Sequence, residues 1–359
     1  MKYRKLGNSG VLVSSLSLGT MQFGRAMKMG SLDQEQTERM VRFAIDGGIN
    51  LIDTADVYSR GESETLIGAA LRGIRDRVIL ATKARLPMSD TDFNNSGASR
   101  RNLMYEVEAS LRRLQTDHID LYQIHGWDSL TPLEETLRTL DDLVRSGKVR
   151  YIGLSNYLAW QAATALGLAE REHLTKYVTA QMYYSLVGRE LEHEFVSFAE
   201  YHRLGLLVWS PLAGGFLSGK YDRQHAPPPN TRFAEAGRFV PFDLERGYGI
   251  IEAVKAVAER HAATAAQISL AWLLSRPFVS SVIIAARTTE RLAENIRAVD
   301  IELAPRDIEE LDQVSDPGDP YPKWMVLQLD EAEDPRRRVL EPNRPRREDL
   351  RGRRWSPEL

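Results

Sequence analysis

The chain of 359 residues contains no cysteine. That excludes disulfides, thiolate metal sites and a cysteine nucleophile. Histidine is scarce, with seven residues. Apart from His125, they are His118, His173, His193, His202, His225 and His261, which show no metal-like spacing, so no metal site is expected. No apolar run approaches the roughly 18 residues a membrane-spanning helix needs. The opening Met1-Lys2-Tyr3-Arg4-Lys5 starts no signal-peptide core. The expectation is a soluble cytoplasmic protein with no membrane partner. Neither sign of charge dominates: 47 Lys plus Arg stand against 50 Asp plus Glu, a net charge of −3. This excludes a generally basic surface of the kind that coats nucleic acid. The balance is uneven along the chain, because residues 336–354 hold nine Arg and three acidic residues, a net +6 that leaves −9 for the remainder.

What the sequence does contain is alternation. Eight short apolar runs lie at residues 16–18, 49–52, 78–81, 119–122, 151–154, 178–181, 206–209 and 282–284. Helical patterns separate them: Glu35–Ile45, Ser63–Leu71, Arg101–Leu114, Leu133–Arg145, Trp160–Glu170, Leu191–His202, Ile250–Leu274 and Glu290–Val299. Leu103, Val107, Leu111 and Leu114, for example, fall on one helical face. Strands buried on both sides and alternating with helices imply a parallel sheet, and eight repeats imply a single closed (β/α)8 barrel of the TIM type. A short hairpin, Lys2–Leu6 and Val11–Val13, is predicted before the first barrel strand. A long loop is predicted after the seventh strand, from Gly214 to about Gly249. The predicted organisation is one barrel domain over residues 1–315, followed by an Arg-rich C-terminal extension over 316–359. That tail is a candidate to pack on the barrel or on a partner subunit, which would make a homo-oligomer.

The active site of such a barrel lies at the C-terminal ends of its strands. The second to eighth strands deliver there Asp53 with Tyr58, Lys83, His125, Ser155-Asn156, Gln181, Trp209-Ser210 and Arg287. Taken singly, Asp53 is as readily a cap, Lys83 a surface lysine and His125 a structural histidine. Taken together they have a chemical use. A phenol with a pKa of about 10 is a poor proton donor near neutrality. A nearby ammonium lowers that pKa, a carboxylate holds the ammonium, and an imidazole orients a carbonyl oxygen or shares its proton. The set forms a general acid for an alkoxide that develops as hydride reaches a carbonyl.

Three blocks carry a resemblance. Residues 48–58 (GINLIDTADVY) continue into Gly61-Glu62-Ser63-Glu64; residues 111–122 read LRRLQTDHIDLY; residues 147–156 read GKVRYIGLSN. Together they resemble the aldo-keto reductase superfamily, in its order, from about Tyr3 to Val314. The resemblance implies an alcohol-dehydrogenase-type oxidoreductase that moves hydride from NADPH to an aldehyde or ketone. It assigns Tyr58 as general acid/base, Asp53 and Lys83 as its tuning pair, and His125 as carbonyl-orienting partner. It also implies a cofactor bound across the barrel mouth. Ser155, Asn156 and Gln181 would hold the carboxamide and Trp209 would stack on the nicotinamide. Gly19, Thr20 and Met21 at the first strand's end, together with Asp53, join these contacts. The segment Trp209-Ser210-Pro211-Leu212-Ala213-Gly214-Gly215, with Ser218, Lys220 and Arg232, would take the pyrophosphate. Ala285, Arg287, Arg291, Glu294 and Asn295 would take the adenosine phosphate.

Arg287 and Arg291 at a helix start suit a 2′-phosphate, so NADPH is expected over NADH. Two departures from the family pattern stand out: Ala285 replaces a common Gly, and Arg291 a common Gln. Met21, Tyr58, His125 and Trp127 are the expected substrate contacts, although Met21 and Trp127 equally suit closing the barrel mouth. Gly126-Trp127-Asp128 replaces the commoner Trp-Pro-Asp. Residues 209–213 (WSPLA) are also similar to the β subunits of voltage-gated potassium channels. A redox-sensing, NADPH-binding regulatory subunit with little turnover is therefore the alternative. Those subunits carry Asn where this chain has His125.

Overall fold

Eight parallel strands close on themselves: β3 (Leu16–Gly19), β4 (Leu51–Asp53), β5 (Ile79–Ala84), β6 (Ile119–Ile124), β7 (Val149–Ser155), β8 (Thr179–Tyr183), β9 (Gly205–Trp209) and β10 (Val279–Ile284). The seam joins last to first, with Val282 opposite Leu16 and Ile284 opposite Leu18. The computed structural model describes residues 1–26, 31–221, 223 and 240–331. Arg232 and the Arg-rich stretch 336–354 lie outside them. The chain divides into two compact units, Met1–Asp316 and Pro317–Leu359. The barrel is the predicted (β/α)8 architecture, and every one of the eight predicted apolar runs lies in or overlaps a barrel strand.

The hairpin β1 (Tyr3–Lys5) and β2 (Leu12–Ser14) pairs antiparallel. Val13 within it and Leu6 beside it pack with Leu51, Ala81, Leu121, Leu207 and Ile283 inside the barrel. The larger apolar core lies between strands and helices, as expected when strands are buried on both faces. The inner packing leaves the opposite rim for polar groups.

Among the described residues, the helices of the first unit are α1 (Gln34–Asp46), α2 (Glu62–Ala70), α3 (Arg100–Leu114), α4 (Leu133–Arg145), α5 (Ala159–Arg171), α6 (Phe195–His202), α7 (Leu244–Arg260), α8 (Ala265–Leu274), α9 (Thr289–Ile296) and α10 (Pro305–Val314). Three differ from the sequence pattern. The span Ile250–Leu274 is two helices, not one: Ala262 is left-handed, and Thr264 with Gln267 forms a capping box that starts α8. The loop after β9 ends earlier than predicted, because Asp243 accepts a hydrogen bond from the Arg246 amide and caps α7. Finally, α10 has no counterpart in the predicted pattern, though Pro305 at its first turn is a helix-start residue.

In the second unit a helix, α11 (Lys323–Glu331), follows a Lys323–Asp319 ion pair of 2.7 Å. Among the described residues no helix is long and apolar enough to cross a membrane.

Candidate active site

The barrel delivers Asp53 as the last residue of β4, and it is 2 % exposed. One residue before the end of the strand pairing that joins β5 to β6, Lys83 points inward and is completely buried. Its Nζ donates to Asp53 Oδ2 at 2.6 Å and to the Thr54 carbonyl at 2.8 Å. The other carboxylate oxygen accepts from Gln181 Nε2 at 2.7 Å and from Gln123 Nε2 at 3.2 Å. Asp53 therefore only accepts, which is the pattern of an ionised carboxylate with its lone pairs occupied. A buried ion pair is tolerable on those terms and costly on any others.

Tyr58 opens a one-turn 3-10 segment, Tyr58–Gly61. Its hydroxyl lies 3.4 Å from Lys83 Nζ, and its ring meets the His125 ring edge-on, with centroids 5.8 Å apart. Burial pushes the phenol pKa above its ordinary value, and Lys83 offsets this only in part. This is the reverse of the lowering expected from a nearby ammonium. Here desolvation wins, because the ring is enclosed while the Lys83 contact is long. Burial also works against charge on Lys83, but Asp53 and the phenol more than reverse it and raise its pKa.

His125 follows β6, and its amide donates to the Ala84 carbonyl at 2.9 Å. Burial, helped by the positive charges of Lys83 and Arg85, pushes the imidazole down to about 3. It is therefore neutral throughout the physiological range, which favours carbonyl orientation over proton sharing. Its buried Nδ1 has no hydrogen-bond partner.

The turn that carries Tyr58 is held by its neighbour. Ser59 and Arg60 both have left-handed backbones, at φ 47° and 53°. Non-glycine residues persist there only when their surroundings fix them. Ser59 Oγ donates to the Phe23 carbonyl at 3.0 Å, and Glu62 Oε2 accepts the amides of Arg25 (2.7 Å) and Ala26 (3.0 Å). Gly24 makes this approach possible, since a Cβ there would stand 2.7 Å from Glu62 Oε2. The loop after β3, which begins at Thr20 and Met21, is thereby latched to the Tyr58 turn.

Behind β5 lies a second polar cluster. Asp56, Glu64 and Glu106 are each 0–1 % exposed and have one guanidinium nearby, that of Arg113. Arg113 donates to Glu64 at 2.6 Å and to Glu106 at 3.4 Å. Asp56 Oδ1 accepts only the adjacent Val57 amide, at 2.6 Å, and Oδ2 has no partner. Burial, followed by the charges of Glu64 and Glu106, holds the Asp56 carboxyl well above the usual carboxylate range.

The remaining expected residues divide by place. Ser155 Oγ donates to the Gln181 carbonyl at 2.8 Å, and Asn156 joins the His125 carbonyl (3.2 Å) to the Trp209 indole N–H (3.0 Å). Trp209 also packs on Tyr183, with centroids 5.2 Å apart. Gly19 ends β3, Met21 is half-buried, and Thr20 is fully buried with its hydroxyl on the Asp53 carbonyl at 3.1 Å. Beyond β9, Pro211 is buried, Leu212 half-buried, and Lys220 exposed; Ser218 Oγ donates to the Gly215 carbonyl at 2.6 Å. On the far side Thr288 caps α9, with Ala285 and Arg287 exposed before it. Arg291 pairs with Glu294 at 2.7 Å, and Asn295 is buried. Trp127 packs against Tyr157, with centroids 5.2 Å apart.

The residues present fit a dinucleotide. Ser210, Ala213, Gly214 and Gly215 are all left-handed, and a Cβ on Gly214 would meet nothing within 4 Å. Within this turn the Ala213 and Gly215 amides donate to the Ser210 and Leu212 carbonyls and the Gly214 amide to Ser210 Oγ at 3.3 Å, so what the turn offers a phosphate is the close backbone approach of its glycines. The amides of Asn156 and Gln181 supply the donor and acceptor chemistry that a carboxamide needs. Among the described residues no cluster of three or more His, Asp or Glu could hold a metal ion. Gln123 and Arg85 are not among the residues expected from the sequence. Both stand two residues from an assigned group (His125 and Lys83), a same-face signal along a strand.

Comparison with known proteins agrees across the chain. A family model, the Aldo/keto reductase family, matches residues 15–316. An uncharacterised oxidoreductase of Bacillus subtilis, YrpG, is 38 % identical over 84 % of this chain and 92 % of its own length. Versiconal hemiacetal acetate reductase of Aspergillus parasiticus is 34 % identical over 87 % of this chain and 96 % of its own. A probable voltage-gated potassium channel β subunit of Arabidopsis thaliana is 34 % identical over 88 % and 96 % respectively.

Proposed function

The chain belongs to the aldo/keto reductase family, and from that premise we propose that it is an NADPH-dependent reductase of aldehydes or ketones with Tyr58 as general acid. A single observation carries the reading: Lys83 Nζ stands between Asp53 Oδ2, at 2.6 Å, and the Tyr58 hydroxyl, at 3.4 Å, beside the His125 ring. NADPH, when bound, supplies the hydride. Tyr58 holds the proton at its hydroxyl until an alkoxide oxygen needs it. Lys83, kept charged by Asp53, stabilises the phenolate that remains. His125, neutral, orients the carbonyl oxygen without competing for the proton. Gln123 and Gln181 fix the Asp53 carboxylate so that Lys83 stays aimed.

The test is a fluorescence titration with NADPH, followed by turnover across a panel of aldehydes and ketones. Binding together with carbonyl-dependent NADPH oxidation is expected; absence of both overturns the reading. A second reading, a redox-sensing regulatory subunit, draws on the similarity to the plant channel β subunit. It predicts tight NADPH binding without turnover, and His125 at the site counts against it.

The preference for NADPH over NADH rests on Arg287 and Arg291 at the start of α9, where a helix N-terminus also favours anions. Arg291→Ala is expected to raise the NADPH dissociation constant by about 10- to 100-fold, the range of a charge-assisted hydrogen bond. The NADH constant should move by no more than about twofold, because the bare ribose hydroxyl offers no charge to lose. Parallel titrations check this, and equal losses for both cofactors would remove Arg291 as the phosphate contact.

A further inference from the structure

Arg85 follows the last residue of β5, directly across from His125, whose amide donates to the neighbouring Ala84 carbonyl at 2.9 Å. Its backbone is left-handed at φ 121°, an unusual state for a residue with a side chain. The Gly97 amide holds it there, donating to the Arg85 carbonyl at 2.8 Å. Strain of this kind concentrates at functional sites.

The half-buried guanidinium is under-used. Nη2 donates to the Trp127 carbonyl at 2.8 Å. Nε is buried without a partner. Among the described residues no carboxylate comes within ion-pair distance of Arg85. Asp128, the acidic residue of the adjoining loop, is already satisfied: Oδ2 accepts from the Ala98 amide (2.7 Å) and Thr131 Oγ1 (2.6 Å), and Oδ1 from the Leu130 amide (3.0 Å). A cation with no carboxylate in ion-pair contact, though close enough to Asp128 to interact with its charge, therefore stands on the rim beside His125, at the foot of an apolar wall in which Trp127 packs on Tyr157 and Trp160. Buried or half-buried charge without a partner is costly, and a ligand of opposite charge relieves that cost.

We propose that the carbonyl substrate carries an oxyanion, a carboxylate or phosphate, and that Arg85 binds it while Trp127 packs against the carbon skeleton between the anion and the carbonyl. The proposal rests on the carbonyl-reductase reading and narrows it to a substrate class.

The test uses a matched set, 4-formylbenzoate, 4-formylphenyl phosphate and neutral 4-methylbenzaldehyde, with NADPH and the full chain. For at least one anionic member, kcat/KM is expected to exceed that of the neutral compound by about tenfold or more, mainly through KM, as a charge-assisted contact should give. The larger ratio identifies the oxyanion. In Arg85→Met the ratio should fall to about one while the neutral compound keeps kcat/KM within about threefold. Arg85→Lys, which retains the charge, should recover part of the preference. A wild-type ratio near one overturns the proposal. So does a ratio that survives in Arg85→Met, or an equal loss for all three compounds in that variant, which would make Arg85 only a support for the Trp127 loop. Wild-type turnover of the neutral compound keeps the reductase reading whatever becomes of Arg85. No turnover of any of the three compounds overturns both.

Discussion

Tyr58→Phe is expected to cut carbonyl reduction by about 10²- to 10⁴-fold, the span that a positioned general acid supplies. NADPH affinity should stay within about twofold, since the change removes one hydroxyl and leaves the ring. The ring's edge-on contact with His125 depends on its faces and edges, which phenylalanine keeps. The lost contact is the 3.4 Å approach to Lys83, whose ammonium still has Asp53 and the Thr54 carbonyl. Steady-state turnover and a cofactor titration on the same preparation separate the two effects. Retained turnover would remove Tyr58 as proton donor.

The direction of the phenol's shift adds a pH signature. Burial raises its pKa against the pull of Lys83, so the hydroxyl carries its proton at neutral pH. Reduction requires that protonated form and should be flat through neutrality, falling only as alkaline pH removes the proton. Alcohol oxidation requires the phenolate and should rise with pH. His125, held at about 3, contributes no break between pH 6 and 7.

Lys83→Met should damage stability as well as activity. Removing one member of a buried pair leaves the other as an uncompensated charge, at a cost of about 3–5 kcal/mol. Asp53 would keep only the amides of Gln123 and Gln181. At about 2–4 °C per kcal/mol for large domains, the melting temperature should fall by roughly 10 °C. The double variant Asp53→Asn with Lys83→Met should regain part of that loss, because both charges are then gone. Thermal unfolding of the wild type and the two variants measures this, and an unchanged melting temperature in Lys83→Met would contradict the buried-pair account. Its pH dependence also has a definite sign. The raised pKa of Lys83 means that the stability it contributes is full below the ordinary lysine pKa and is lost as pH rises through the folded-state value.

The barrel was legible because its strands are short apolar runs bounded by polar residues at each rim, and that pattern survives without knowledge of contacts. Helix starts were less so. The α7/α8 break was written in Thr264 and Gln267, but the apolar period continues across it and hides the cap. In the candidate site, Asp53, Tyr58, Lys83 and His125 could be placed by strand-end position and by family pattern. What could not be read was partnership: the Gln123 and Gln181 amides on Asp53, the unpaired Arg85, and the sign of the Tyr58 shift. Each depends on how deeply a group is enclosed and on residues distant in sequence, which local pattern does not encode.

Asp56 has a consequence for the whole folding equilibrium. Enclosed with Glu64 and Glu106 and without a cation of its own, it binds a proton in the native barrel that the unfolded chain releases above the ordinary aspartate pKa. Folding is therefore coupled to proton uptake. The stabilising share of that proton is complete only below the unfolded pKa and disappears as pH rises through the folded one. Asp56→Asn, neutral at every pH, should remove this coupling and raise the melting temperature increasingly toward alkaline conditions. Calorimetric unfolding in buffers of different ionisation enthalpy would detect the proton: at pH values between the unfolded and folded pKa of Asp56, the wild-type heat should vary with buffer more than that of the asparagine variant.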